Sequence, residues 1–546
     1  MLGNPQTPVR YYSSHNGAGN PSHSNSGPGI AFSYNDGRPI YQHRAPLSPV
    51  SLHTPDKRKP RSTGPMLVAL FAILATALPA IASDLDASNR DYTWIVSSYL
   101  LANAACAPLW GRASDIWSRK AMLLLVNGLF LGGSSICGLA TNLRVMIAGR
   151  TIQGVGGGGM IILANVCVPD LFSPRVRPKY YGMIGTIYGI TDALGPLIGG
   201  VITSGLSWRW CFYLNLPIGA ICIGLLLLSP HIESSPRTSL WAGLRSVDWL
   251  GTLTLVGGTT AFLLGLQLGG ETYSWDSAPV VCLILFGVMS WAMAILIEWK
   301  VATYPVIPIH MFRNWHNAVM LLICYCHGIV FTAGTYYIPL YFQVVLELTP
   351  MLSSVYMLPM ALSLAITGMS AGFLIKRTGS YRALIVVSLL FLTLGYGLFI
   401  DLKPYTSWPR IITYQLISGL AAGALFLAPL IGLQANVSTS DTAAATAAFG
   451  FIRQLSSALS LVLGSAIYHG ILGQSTAAPG QSGPGIQETA SSVDRPIANT
   501  RSAALSRMWA LYTGFAGCAF FLSLCIRPVE LKNEHDDGEE NKPSVG

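Results

Sequence analysis

Ionisable side chains lie inside several long apolar runs of this sequence, where a charge is costly. Three of them are Arg150, Asp192 and His327. A charge at the centre of a bilayer costs about 2.5–3.5 kcal/mol on insertion scales, so such a residue needs a partner or a water-filled cavity. Asp192 is a candidate for a carboxylate that takes up and releases a proton. The alternatives are a carboxylate hydrogen-bonded to a neighbouring helix and one close enough to water for its charge to matter little.

Arg150 and His327 also have purely structural interpretations. Arg150 stands near the start of its apolar run, where its guanidinium could extend to the outer surface while the stem stays buried. If the run is helical, however, Arg150 shares one face with Gln153, Gly154 and Gly157, which indicates an inward-facing polar site. For His327, the alternative to a titrating group is a core histidine whose hydrogen bonds are satisfied.

Asp192 stands beside a stripe of small residues within the segment GITDALGPLIGG, residues 189–200. At about 100° per residue, one helix face carries Gly185, Gly189, Ala193, Pro196 and Gly200, and Gly195 and Gly199 flank it. Small residues let two helix backbones approach closely, which is how helices pack inside lipid. Pro196 lacks a backbone N–H and is expected to bend the helix. The segment therefore predicts a tightly packed membrane span with one acid beside its packed face.

Composition indicates a membrane protein. Of the 546 residues, 51% are hydrophobic and 10% are charged, whereas soluble domains carry about 25% charged residues. Apolar runs of about 20 residues, long enough to cross a bilayer, recur along the chain. They lie at 64–82, 92–110, 121–140, 145–168, 180–204, 209–229, 249–268, 279–298, 318–342, 351–375, 382–400, 411–434, 443–472 and 507–526. The sequence predicts an all-α polytopic membrane protein with about 14 transmembrane helices.

Basic residues are concentrated in particular loops. They stand just before the first run and in the loops between runs 2 and 3, 4 and 5, and 10 and 11. By the positive-inside rule, these loops and both termini are expected to be cytoplasmic. The net charge of +9 therefore reflects topology and not a nucleic-acid surface, since the basic residues form no single patch. Residues 1–62 are predicted to be a disordered cytoplasmic tail, and residues 528–546 an acidic cytoplasmic tail.

Two segments repeat a pattern of glycine followed by basic residues. Residues 111–120, GRASDIWSRK, end the second run, and residues 372–382, GFLIKRTGSYR, end the tenth. This repetition predicts two six-helix halves, 63–230 and 301–527, with a two-helix linker region at 231–300. Parallel halves of this kind are a known plan for transporters.

Several motifs in order resemble one family. Residues 111–120, 150–154 and 189–200 are similar to its loop 2–3, span-4 and span-5 antiporter motifs, and residues 208–217, 339–343 and 434–436 are similar to its fungal branch. The chain resembles the major facilitator superfamily, in particular the 14-span drug:proton antiporter branch of fungal toxin and multidrug efflux pumps. The resemblance covers about residues 77–468 and implies the major facilitator fold.

The resemblance also implies roles for single residues. Similarity to the family makes Arg150 a residue of proton coupling and the substrate path. Gln153 and His327 are further candidates for the substrate path, chosen on their own chemistry. Asp115 and Arg119 are expected to pair, to touch a helix end in the other half and to stabilise the outward-facing state. A topology signal with a helix cap is the alternative for them. Asn215 and Gln343 are expected to be polar anchors on the substrate path. A further set is expected to serve in helix packing: Gly111, Gly154, Gly189, Gly195, Pro196, Gly199 and Gly200.

Two positions depart from the family pattern. Leu70 stands where the family carries an acid in its first span, and that run is short at its N-terminal end. Ser118 stands where the family usually has glycine. The first departure weakens the expectation of proton coupling and leaves open a transport-dead membrane sensor.

The sequence as a whole predicts a proton-coupled exporter of amphiphilic small molecules that works by alternating access. The chain contains no Gly-Lys dipeptide and hence no phosphate-binding Walker loop, which favours an ion gradient as the energy source. No catalytic constellation, metal site or cofactor is expected. The expected partners are protons, the bilayer and the small-molecule substrate. The protein is expected to be a monomer in the plasma membrane or, alternatively, in the vacuolar membrane. The remaining alternative is a transporter of basic amino acids or iron chelates.

Overall fold

The computed structural model describes most of the apolar part of the chain. The described residues are 34–35, 38–39, 81, 84–85, 89–228, 248–269, 273–300, 309–438, 441–476 and 495–527. The predicted first span lies almost wholly outside this part, as do position 70 and the acidic tail. By their contacts, residues 1–61 and 62–546 form separate units.

The first unit contains two short strands among its described residues. The strands are β1, Tyr34–Asn35, and β2, Arg38–Pro39, which pair antiparallel. The disordered tail at residues 1–62 stays a prediction, and apart from these four residues it lies outside the described part.

The second unit is helical wherever the structure describes its long elements. The helices are α1 (Asn89–Ile116), α2 (Arg119–Gly138), α3 (Leu143–Leu171), α4 (Arg177–Gly205), α5 (Trp210–Tyr213), α6 (Asn215–Leu228), α7 (Trp249–Leu268), α8 (Ala278–Lys300), α9 (Trp315–Val344), α10 (Pro350–Tyr356), α11 (Leu358–Thr378), α12 (Arg382–Phe399), α13 (Trp408–Leu425), α14 (Ala428–Gln434), α15 (Thr442–Thr476) and α16 (Arg495–Leu524), with a 3₁₀ turn at Ile309–Arg313.

These helices coincide with the predicted spans from the second to the fourteenth. Ten helical stretches among the described residues are long and apolar enough to cross a membrane. The all-α membrane fold is thus confirmed, while the number of 14 spans stays a prediction.

Side-chain caps set several of the helix starts. Ser118 accepts a hydrogen bond from the Ala121 N–H at 3.2 Å before α2, and Asn142 accepts one from the Val145 N–H at 3.0 Å before α3. Such caps satisfy backbone donors that have no partner inside the helix. Ser118, which departs from the family pattern, thus has a local structural use.

The last helix begins before the apolar run that predicted it. The run begins at residue 507, whereas α16 begins at Arg495. Its early turns are polar because they contact backbone carbonyls: Arg501 donates to the Val344 oxygen at 3.1 Å, and Ser502 donates to the Leu402 oxygen at 2.8 Å. Hydropathy alone cannot find helical turns whose polar side chains are satisfied in this way.

The two predicted halves contact each other through two equivalent helix pairs. In one pair, α1 lies against α15, and Gly111 faces Ala447 so closely that a side chain at 111 would overlap it. In the other pair, α11 lies against α4, and Gly372 faces the Pro178 carbonyl in the same way. The second helix of each half thus packs on the fifth helix of the other, as expected for related halves.

The inserted helices α7 and α8 pack on each other and on both halves. The Trp291 indole of α8 donates to the Thr259 hydroxyl of α7 at 3.0 Å. Leu263 and Leu266 of α7 share an apolar cluster with α1 and α15. This pair therefore lies beside the seam between α1 and α15.

We predict that Gly372→Ala destabilises the protein. A Cβ at this position would overlap the Pro178 carbonyl and lie 3.1 Å from the Gly182 Cα, both of which are backbone atoms that cannot rotate away. Overpacking of this kind costs about 1–3 kcal/mol. The loss of stability is measured as a lower midpoint of thermal unfolding for the purified protein in detergent.

Gly128→Ala is the matched control, because no atom lies within 4 Å of a Cβ at position 128. Its midpoint should stay equal or rise slightly, since alanine favours the helix. Equal midpoints for the two variants would contradict the close contact between α4 and α11.

Candidate functional site

A buried ion cluster lies at the end of the bundle where α1 and α3 end and α2 begins. We call this end, which also carries the basic loops, the basic end. Arg119 is 5% exposed and donates from Nη2 to Asp115 at 3.0 Å and from Nε to Asp170 at 2.9 Å. It also donates to Ser114, whose hydroxyl donates to the Gly111 carbonyl at 2.7 Å. Charge-assisted bonds of this geometry are among the stronger polar contacts.

Asp170, which ends α3 of the same half, joins Asp115 and Arg119 in this cluster. One helical turn earlier, Gly111 contacts Ala447 of the other half. The expected contact of Asp115 and Arg119 with a helix end in the other half stays a prediction. Asp170 was missed, although an acid at the end of an apolar run facing a basic loop is a readable signal.

A hydrogen-bond network also joins the two halves at the basic end. The Gln434 amide of α14 donates to the Tyr181 hydroxyl of α4 and to Thr446 of α15, each at 2.9 Å. Tyr181 is fully buried and donates to the Asn165 carbonyl of α3 at 2.9 Å. The basic end is therefore closed by polar contacts as well as by the glycine contacts.

A second buried polar group extends through four helices of the N-terminal half. Arg150 is 3% exposed; it donates from Nε to the Ile95 carbonyl at 3.1 Å and from Nη1 to the Gln153 carbonyl oxygen at 2.6 Å. Ser134 then accepts from the Gln153 amide at 2.7 Å and from the Asn215 amide at 2.8 Å. The structure thus brings together three predicted site residues through one serine.

The Arg150 side chain points into the bundle. Its guanidinium lies 4.4 Å from the centre of the Tyr99 ring on α1. Gly154 and Gly157 allow this approach, because a Cβ at either position would collide with Tyr99. The alternative in which the Arg150 guanidinium extends to the outer surface is therefore excluded. Its Nη2 has no hydrogen-bond partner, and no carboxylate of the described residues pairs with it.

Ser134 was not identified from the sequence. It stands in a Gly-Gly-Ser-Ser segment inside an apolar run. Such a segment indicates close packing, and only the folded structure shows which of its two hydroxyls bridges Gln153 and Asn215.

His327 and Gln343 lie apart from this group. His327 on α9 is fully buried, with the Phe331 and Phe426 ring centres 5.9 and 5.2 Å from its own. Gln343 is exposed near the end of the same helix and donates to the Ser353 hydroxyl at 3.4 Å. The structure therefore does not join the predicted substrate-path residues into one cluster.

The small-residue segment forms part of α4, which continues without a break through position 196. A Cβ at Gly189 would lie 2.8 Å from the Ala365 Cβ of α11, and Gly195 and Gly199 are buried. The side chains of Asp192 and Pro196, and the surroundings of Gly200, lie outside the described part.

An exposed ion pair lies at the opposite end of the bundle. Asp84 accepts hydrogen bonds from the Trp208 indole at 3.0 Å and from the Arg209 guanidinium at 2.9 Å. The Trp208 hydrogen bond, followed by that of Arg209, holds the pKa of Asp84 below its usual value. The contact is therefore fully present at neutral pH and is lost only as the pH falls through this lowered pKa.

Nothing in the described residues suggests a metal centre. No group of three or more His, Cys, Asp or Glu side chains in that part of the chain is placed to hold an ion.

We predict that Ser134→Ala destabilises the protein. The Ser134 oxygen accepts from two buried amides, and its removal would leave both donors without a partner. Each buried unsatisfied donor costs about 1–3 kcal/mol. The adjacent Ser135→Ala is the control, since the Ser135 hydroxyl bonds only the Leu131 carbonyl of its own helix at 2.9 Å. Thermal unfolding should separate the two variants, and equal midpoints would contradict the bridging role.

Comparison with known proteins identifies the family. A model of the Major Facilitator Superfamily matches residues 66–461. The efflux pump dotC of Dothistroma septosporum is 41% identical over 479 residues, which cover 85% of this chain and 82% of the pump. The MFS-type transporter ppz2 of Metarhizium majus is 38% identical over 521 residues, covering 90% and 89% of the two chains.

A solved structure shows the same fold. The proton:xylose symporter XylE matches with a TM-score of 0.57 and 12% identity, over 86% of this chain and 95% of that chain. The resemblance inferred from the motifs is thereby confirmed, and the chain belongs to the major facilitator superfamily of multi-pass membrane transporters.

Proposed function

We propose that the protein exports amphiphilic small molecules in exchange for protons. The observation that carries this proposal is the buried group of Arg150, Gln153, Ser134 and Asn215, placed inside a bundle whose two halves meet at small residues. Polar and charged side chains within membrane spans are costly and mark substrate and ion pathways.

The relatives support the proposed direction of transport, and the lining of the bundle supports the proposed substrate class. The relative dotC is named an efflux pump, and this chain aligns with most of it. The interior around the polar group is otherwise apolar and aromatic, as the clusters around Tyr99 and Phe130 show. Such walls with a few polar anchors suit amphiphilic organic molecules.

Alternating access would work through the contacts at the basic end. In the conformation described, the Gln434–Tyr181 hydrogen bond and the Gly111–Ala447 and Gly372–Pro178 contacts hold the halves together there. Opening toward this end requires all of them to separate. We propose that the basic end is cytoplasmic, so that this conformation belongs to the outward-facing side of the cycle. The Arg119 cluster would keep α1, α2 and α3 together as the halves rock.

Proton coupling would depend on Asp192. This residue stands three positions after Gly189, on the helix that packs against α11 of the other half. A charge that appears or disappears beside this interface changes the relative energy of its closed and open forms. The protein would act as a monomer in the plasma membrane, with both termini in the cytoplasm.

We predict that cells lacking their own pumps gain energy-dependent efflux when they express this protein. The measurement is the loss of preloaded fluorescent and toxic amphiphiles, with and without a protonophore. Efflux that stops with the protonophore supports proton-driven export. Retention of every tested amphiphile by cells with correctly placed protein would count against it, and uptake would favour the importer alternative.

We predict further that Asp192→Asn abolishes the proton dependence of efflux while expression stays normal. The matched control is Asp401→Asn, because Asp401 is exposed in a loop. Efflux with an unchanged response to an imposed pH gradient in Asp192→Asn would exclude Asp192 as the coupling residue.

A further inference from the structure

A second arginine lies deep in the bundle, in the C-terminal half. Arg453 is the twelfth residue of α15, which places it about 16 Å from the helix start at 1.5 Å per residue. The hydrocarbon core of a bilayer is about 30 Å thick. If α15 enters the bilayer near its first turn, Arg453 lies near the membrane midplane, where an arginine is costly and marks a functional site.

Aromatic rings surround the Arg453 guanidinium. Its central carbon lies 4.5 Å from the Phe426 ring centre and 5.2 Å from the Phe449 ring centre. Its Nη2 is buried and has no hydrogen-bond partner, and no carboxylate of the described residues pairs with it. Cation–π contacts offset part of the desolvation, but they leave a charged donor unsatisfied.

His327 adds a second unsatisfied group to the same aromatic cluster. It is fully buried, and its ring meets the same Phe426 ring edge-on at 5.2 Å. Neither of its ring nitrogens has a hydrogen-bond partner of good geometry, although the Ala422 backbone lies close enough to interact with the ring. His327 is the thirteenth residue of α9, so it lies about 18 Å along that helix, at a similar depth.

The backbone at this point is interrupted as well. Phe426 stands between α13, which ends at Leu425, and α14, which begins at Ala428. Substrate sites in transporters are commonly built at such discontinuous helices near the midplane. A helix break, a guanidinium with one unsatisfied nitrogen and a buried imidazole therefore coincide in one place.

The chemistry of the cluster selects its ligand. An arginine with a free donor binds carboxylate or phenolate oxygens well. A neutral imidazole can donate a further hydrogen bond, and the Phe426 and Phe449 rings offer flat apolar surface. A cationic ligand would instead be repelled by the uncompensated guanidinium.

We propose that the cluster of Arg453, His327, Phe426 and Phe449 is a binding subsite for the anionic group of an aromatic substrate, a carboxylate or phenolate attached to a flat ring. This proposal rests on the proposed export function and narrows its substrate class to aromatic anions. The oxygen of the anion would pair with Arg453 Nη2, and His327 would donate to it from one ring nitrogen.

Binding to the purified full-length protein tests the proposal. The probes are fluorescein, which is an anion, and rhodamine 123, which has the same tricyclic ring system but is a cation, followed by fluorescence anisotropy. We expect the wild type to bind fluorescein more tightly, and Arg453→Gln to weaken fluorescein binding by about tenfold or more, as expected for a lost hydrogen bond between charged groups. Rhodamine 123 binding should not weaken.

Three further variants keep the test specific. Arg507→Gln removes the same charge from an exposed position on α16 and should leave both affinities unchanged. Arg453→Lys keeps the charge and should recover part of the fluorescein affinity, even if Arg453→Gln folds poorly. His327→Phe keeps a ring but removes both nitrogens, and it should weaken fluorescein binding.

The outcomes separate this proposal from the export function. Equal weakening of both dyes by Arg453→Gln, or tighter binding of rhodamine 123 than of fluorescein by the wild type, would overturn the anion subsite. Either result leaves protonophore-sensitive efflux of other amphiphiles intact as evidence for export. Conversely, fluorescein binding that depends on Arg453, without any efflux, would retain the subsite and count against the exporter.

Discussion

Close approach of helix backbones is the constraint on which the rest of this structure depends. Inside lipid there is no hydrophobic force between helices, so their association relies on van der Waals contact, hydrogen bonds and the small residues that allow both. Gly111 and Gly372 provide such contact between the halves, and Gly154 and Gly157 provide it inside the N-terminal half. The polar groups can form hydrogen bonds across helices only because these glycines bring the backbones near enough.

The three buried arginines differ in how completely their hydrogen bonds are satisfied. Arg119 is fully engaged, with two carboxylates and a serine around it. Arg150 and Arg453 each keep one nitrogen without a partner. A residue whose bonds are complete can hold a helix end in place. A residue with a remaining donor can give a hydrogen bond to a ligand, and that bond would offset the free-energy cost of burying the donor.

Much of the fold could be predicted from the sequence, because hydropathy and length fix where membrane helices lie. The described helices follow the predicted spans closely, except where polar turns at Arg501 and Ser502 extend α16. The functional site was harder to predict from the sequence than the fold. Ser134 matters through the Gln153 and Asn215 amides, which no local pattern reveals. Asp170 and Arg453 carry local signals, an acid at the end of an apolar run and an arginine inside one, but their partners are distant in sequence. Gln343 carries a motif resemblance, yet it lies exposed beside Ser353. Spacing places a residue on a helix face but does not say which neighbour that face meets.

The inserted helices have a consequence for the kinetics of the cycle. Leu263 and Leu266 of α7 contact α1 of one half and α15 of the other through aliphatic side chains. Such contacts have no preferred direction, because burial of apolar surface depends on area and not on orientation. In the proposed alternating-access cycle, a small sliding of α1 past α15 would exchange one aliphatic neighbour for another at nearly constant energy. The pair formed by α7 and α8 would then remain attached throughout and add little to the barrier.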